Sequence, residues 1–78
     1  MLVKIMLEKN GGTNIALIEA TYIKFLLEND KVEIGNGEDY YRSIHLISAT
    51  QYETIINNIK SANDIIDFSN YTFKENSI

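Results

Sequence analysis

Apolar and polar positions alternate with a period of two over most of the first fifty residues, which is the pattern of half-buried β-strands. In Leu2–Glu8, Val3, Ile5 and Leu7 fall on one side, and Lys4 and Glu8 fall on the other with Leu2 and Met6. Asn10-Gly11-Gly12 then supplies residues that tolerate positive φ, which predicts a tight hairpin turn. Residues 13–20 fit a second strand paired antiparallel to the first. A helix over 15–27, capped at Thr13 or Asn14 and striped by Ile15, Ile18, Tyr22, Phe25 and Leu26, is the competing reading. Alternation resumes at 22–28 and at Lys31–Ile34, with Val32 and Ile34 inward and Asn29-Asp30 as the turn between them. Asn36-Gly37 is the strongest hairpin signal in the chain. It leads into an expected long strand over 40–47, with Ile44 and Leu46 facing the core and Ile47 capping the core end or meeting a partner.

The period changes at Ser48. Ser48/Gln51 and Thr50/Glu53 are overlapping capping boxes, and Tyr52, Ile55, Ile56, Ile59 and Ala62 follow at helical spacing. An amphipathic helix over about 49–62 is therefore expected to pack across one face of the sheet. Asp64–Phe68 reads as a short apolar patch, a single turn capped by Asn63 or Asp64. Residues 71–73 read as an edge strand and 74–78 as a frayed tail. The fold class expected is α+β: one domain over 1–73, built as a four- or five-stranded antiparallel β-meander with the single helix on one face.

At 78 residues the chain buries a thin core, and without cysteine it has no disulfide or thiolate metal site to supplement it. Oligomerisation is the remaining common support. The net charge of −4 and pI near 4.8 disfavour binding to duplex nucleic acid, where neutralisation of phosphates by Lys and Arg dominates affinity. No apolar run approaches the roughly 18–20 residues of a membrane span, and the absence of cysteine fits a reducing, cytoplasmic location. Isoleucine and asparagine are abundant, and their AT-rich codons point to an AT-rich bacterium or its phage, which would put the protein in the host cytoplasm.

No catalytic or metal-binding constellation emerges, and no cofactor is expected. His45 is the lone histidine, too few for a metal site without cysteine. Ser43 shares its strand face two residues away, but lacks a nucleophile elbow and an orienting acid. Glu38 and Asp39 are adjacent carboxylates at a hairpin tip, where a solvated cap is the ordinary role. Tyr40, Tyr41 and Arg42 belong to the residue types enriched at interfaces. They could also stack a nucleobase while Arg42 and Lys24 meet phosphate. If the helix covers the Ile44/Leu46 side, Tyr41, Ser43 and His45 are left for a partner, and Tyr40 and Arg42 face the other way.

The plan of strands and helix resembles the small FlbD-type flagellar proteins. The resemblance lies in Asn10-Gly11 after a first strand, in Ile18 and Ile23, in Val32-Glu-Ile-Gly-Asn-Gly37 with Tyr41 after it, and in the helix beginning near Ala49. It covers residues 1–60 and departs at the long 40–47 strand and the 61–78 segment; it carries no functional residue over. In size, acidity and composition the chain is also similar in kind to small phage-encoded inhibitors of bacterial defence. The functional expectation is a non-enzymatic interaction module that blocks a host protein, acting as a monomer or a homodimer. An oligomeric binder of a small nucleotide signal and a structural or assembly protein are the alternatives.

Overall fold

The structure is a computed structural model that describes residues 1–26, 28–61 and 64–77, without the side chains of 49 and 77. The described residues form one six-stranded sheet and one helix: β1 Leu2–Lys9, β2 Gly12–Glu19, β3 Tyr22–Leu26, β4 Lys31–Gly35, β5 Asp39–Ser43, α1 Ala49–Ser61 and β6 Ile65–Ser77. The α+β class holds. The sheet, however, is mixed, with spatial order β2-β1-β6-β5-β4-β3. The expected antiparallel meander is corrected in two ways. Residues 65–77 are one strand at the centre of the sheet, and that strand runs parallel to β1. The expected helical turn at 64–68, edge strand at 71–73 and fraying at 74–77 are all replaced by β6, whose last residues pair with Asp39–Arg42.

Local chemistry accounts for each boundary. Asn10 and Gly11 both adopt positive φ (54° and 80°), so β1 and β2 join through a two-residue turn and residues 13–19 are strand rather than helix. Asp30 takes the same conformation in the turn before β4. In the β4–β5 loop Gly37 has φ 95°, and the Asn36 carboxamide oxygen accepts from the Glu38 and Asp39 amides (3.2 and 2.9 Å). The first expected capping box forms reciprocally. The Ser48 amide donates to Gln51 Oε1 (3.0 Å) and the Gln51 amide donates to Ser48 Oγ (3.3 Å).

The strand expected over 40–47 stops at Ser43. Ser43 Oγ accepts from the buried Val32 amide (3.0 Å), taking the place of a further backbone partner, and itself donates to the His45 carbonyl (3.3 Å). The chain then bends, with the Ile44 amide bonded to the Thr72 carbonyl and the Ile47 amide to the Asp30 carbonyl. Ile47 caps the core, but Leu46, expected inside, is 70% exposed and Ile44 only half-buried.

One face of the sheet carries the core: Val3, Ile5, Ile18, Val32, Ile34, Tyr41, Ile66, Phe68 and Phe73. Phe68 and Phe73 both reach it because β6 bulges between the partners of Ile5 and Met6. Asp67 accepts there from the Ser69 amide and hydroxyl (2.9 and 2.6 Å). Helix α1 covers this face with Ile55 buried, Ile59 packed against the core and Tyr52 stacked on Phe25 (4.4 Å between rings). Ile56 is only half-buried. Residues 27, 62, 63 and 78, for which the pattern predicts strand, helix, helix stop and tail, lie outside the described residues.

Candidate functional site

Among the described residues no helix lies on the opposite face of the sheet, and the strand registers fix what that face displays. Directly paired residues share a face. One row crosses all six strands: Lys24, Glu33, Arg42, Lys74, Glu8 and Thr13, each paired with the next. The adjacent row over β3, β4, β5 and β6 is Tyr22, Gly35, Tyr40 and Asn76.

Glu33 organises this half of the face. It is flanked by Val32 and Ile34 on the core side, so its own side chain is held at the sheet surface. It is only 4% exposed because its neighbours cover it. Arg42 Nε donates to Glu33 Oε1 (2.7 Å), the Tyr22 hydroxyl donates to Oε2 (2.8 Å), and Lys24 Nζ lies 3.3 Å from Oε2. Burial would push the Glu33 carboxyl up. The hydrogen bonds from Arg42, Tyr22 and Lys24 outweigh it and hold the carboxyl below its ordinary value. The same contacts act in reverse on the partners. Hydrogen bonding to Glu33 raises Arg42, and desolvation followed by the Glu33 bond raises Tyr22.

The tyrosines are placed by the same geometry. The Tyr22 ring lies over Gly35, where any Cβ would collide with the ring carbons and hydroxyl, so glycine at that strand position is what lets the ring lie flat. Lys24 Nζ stands 5.7 Å from the Tyr22 ring centre, and Arg42 Cζ stands 5.0 Å from that of Tyr40. Lys31 shares the Glu33 side of β4 through its pairing with Leu26. Four of the seven basic residues, Lys24, Lys31, Arg42 and Lys74, are thus gathered with two tyrosines on one bare half-face of an acidic chain. A depression of 470 Å³ lined by Leu26, Glu28, Asn29 and Arg42 borders it.

The residues singled out in the sequence are divided by the sheet. Tyr40 and Arg42 lie on the uncovered face. Tyr41 and Ser43 lie on the helix-covered face, 8% and 2% exposed, which reverses the expected facing of this strand. Burial, then the nearby Glu75 and Asp39 carboxylates, raise the Tyr41 hydroxyl. Ser43 meets the main-chain carbonyl of His45, and His45 itself is exposed in the loop after β5. Glu38 is exposed at the β4–β5 turn, and Asp39 opens β5 opposite Ser77. The geometry therefore does not assemble Tyr41, Ser43 and His45 into one surface.

Sequence reasoning missed Tyr22 and Glu33 and gave Lys24 only a passing role. The signal was present: Tyr22 and Lys24 are two apart on one strand, and Glu33 is the polar member of Val-Glu-Ile. What hid it was the register. A two-residue Asn36-Gly37 turn would put Glu33 opposite Tyr40, whereas the observed loop is longer and puts it opposite Arg42. Among the described residues no group of three or more His, Cys, Asp or Glu could hold a metal ion, and no helix is long and apolar enough to cross a membrane. No family model, curated protein or solved structure matches this chain.

Proposed function

We propose that the protein is a non-enzymatic binding module that seats the uncovered face of β3, β4 and β5 on an acidic surface of a partner protein and blocks it. This is the mode of action of a small phage-encoded inhibitor of a host defence component. The observation that carries this reading is the fixed Tyr22–Lys24–Tyr40–Arg42 surface, locked from beneath by Glu33. Tyr and Arg concentrate binding energy at interfaces, and side chains already ordered by Glu33 lose less entropy on binding. The cationic excess of this half-face, set against the −4 of the whole chain, selects an acidic partner surface.

The same cations and rings favour a second reading, a nucleotide stacked on Tyr40 with phosphate on Arg42 and Lys24. The adjoining depression counts against it, because Glu28 lines it beside Arg42 and would repel a phosphate.

The test is affinity capture from host-cell extract with the wild-type chain and with Lys24→Glu/Tyr40→Ala, followed by measurement of the captured protein's binding to both. A partner bound at least tenfold more weakly by the variant supports the reading. A partner held equally by both removes this face from the interaction. A thermal shift with nucleotides that the variant loses would favour the second reading.

A further inference from the structure

We propose that two copies of the chain form a two-fold dimer by antiparallel pairing of β2 with β2, centred on Ala16, joining the two sheets into one of twelve strands. This inference rests on the far edge of the sheet from Arg42 and is independent of the binding function above.

The two edges of the sheet differ. β3 is five residues long and carries Lys24 at its centre. β2 is eight residues long, Gly12–Glu19, and carries no proline, bulge or charge before its last residue. Edge strands ordinarily avoid pairing through such devices, and β2 has none of them over Thr13–Ile18. It also exposes Ile15 and Leu17, at 55% and 56%.

Hydrogen-bond parity fixes which groups are available. The Ala20 amide donates to the Met1 carbonyl (2.7 Å) and the Met1 nitrogen donates to the Ala20 carbonyl (2.8 Å), a pair bonded in both directions. Antiparallel pairs alternate, so stepping by two from Ala20 turns the backbone groups of Ile18, Ala16 and Asn14 toward β1. Those of Thr13, Ile15, Leu17 and Glu19 point away from the sheet.

A second antiparallel strand must therefore match outward residues with outward residues. A two-fold at Ala16 pairs Ile15 with Leu17 of the second copy, and Thr13 with Glu19, each twice. All four outward residues are used, for roughly eight main-chain hydrogen bonds. A two-fold at Leu17 would set Ile15 against Glu19, and one at Ile15 would set Leu17 against Thr13. Of these three centres only Ala16 sets both Ile15 and Leu17 opposite an apolar residue while using all four outward residues. Residue 16 then meets its own copy as a non-hydrogen-bonded pair, where the Cα atoms approach to about 4.5 Å, and alanine's small side chain allows it. A 78-residue chain without disulfides has the most to gain from such a partner.

Native mass spectrometry and sedimentation of the wild-type chain should show a dimer at micromolar concentration. The chain has no cysteine, so Ala16→Cys places one thiol on the two-fold, at disulfide distance from its mate. Mild oxidation should cross-link most of it. Thr13→Cys puts the thiols some six residues apart along the strands, roughly 20 Å, and should remain uncross-linked. Ile15→Lys should convert the dimer to monomer with the circular dichroism spectrum retained. A wild-type monomer at high micromolar concentration overturns the proposal without any variant. So does a dimer in which Thr13→Cys cross-links as readily as Ala16→Cys.

Discussion

The two halves of the uncovered sheet face obey opposite rules. Over β3, β4 and β5 the face is polar, and its central group, Glu33, is a buried charge held by three donors. Over β2 and β1 it is open and carries its apolar residues uncovered, with Ile15, Leu17 and Leu2 exposed around Lys4. In the first half a charge is part of the packed structure, and in the second the apolar side chains are not. Residue type therefore predicts burial poorly on this face, and hydrogen-bond partners predict it well. A buried carboxylate is costly unless paired, and here the pairing comes from side chains that would otherwise be surface decoration.

The largest effect expected tests whether Glu33 is truly dependent on its cations. Lys24→Met/Arg42→Met leaves the carboxylate buried with Tyr22 alone, and should cost about 3 kcal/mol in urea denaturation. Adding Glu33→Met removes the stranded charge and should restore most of that loss, since a matched apolar set is often as stable as the ion cluster. If the triple variant is no more stable than the double, the cluster is an ordinary solvent-screened ion pair and the contrast between the halves collapses. A smaller loss, about 1–2 kcal/mol, is expected for Tyr22→Phe, which deletes one hydrogen bond to a charged group. Gly35→Ala should cost a similar amount, because displacing the Tyr22 ring breaks that same bond.

The halves also differ in how legible they were. The strands β1 to β4 and the start of the helix follow from local signals: period-two alternation, positive-φ turn residues and a capping box. β6 does not. Its polar bulge at Ser69–Asn70 splits the apolar pattern into two pieces, each too short to announce a strand. Its parallel partner, β1, lies some sixty residues away in the chain, so no local feature points to it. The same limit applies to the site. Tyr40 and Arg42 were visible as residue types, but their grouping with Tyr22, Lys24 and Glu33 depends on register across two hairpins. The facing of β5 is the reverse of the expected one because the apolar alternation runs on through Ile44 and Leu46, beyond the end of the strand. Ser43's hydroxyl ends the strand before them, and a side chain that substitutes for a backbone partner leaves no periodic trace.

Acid titration sharpens the comparison at intermediate magnitude. Glu33 titrates below its ordinary 4.5 in the folded chain. Its contribution to stability is therefore complete above that value and is lost as pH falls through the lower folded value. Asp67 is held low by Ser69 and shifts in the same direction, so wild-type acid sensitivity alone does not isolate Glu33. The difference between wild type and Glu33→Gln does. Their denaturation midpoints should lie furthest apart near neutral pH and converge as pH falls below the ordinary carboxyl value and through the lower folded one. A constant gap over that range would mean that Glu33 has the same affinity for its proton folded and unfolded.

The smallest effect belongs to the open half. Leu17→Ser replaces an exposed leucine on the outer face of β2 and should change the stability of the isolated chain by less than about 0.5 kcal/mol. The measurement is made at a dilution where native mass spectrometry shows only monomer, so that loss of a partner does not enter. Val3→Ser, on the core face of the neighbouring strand, should cost several times more, because Val3 is fully buried and its replacement strands a hydroxyl there. The pair isolates facing from sequence, since Val3 and Leu17 are both apolar residues in strands that pair along their whole length. A loss above about 2 kcal/mol for Leu17→Ser in the monomer would mean that its own chain covers this side chain. The apolar half of the face would then be core, and no contrast with the Glu33 half would remain.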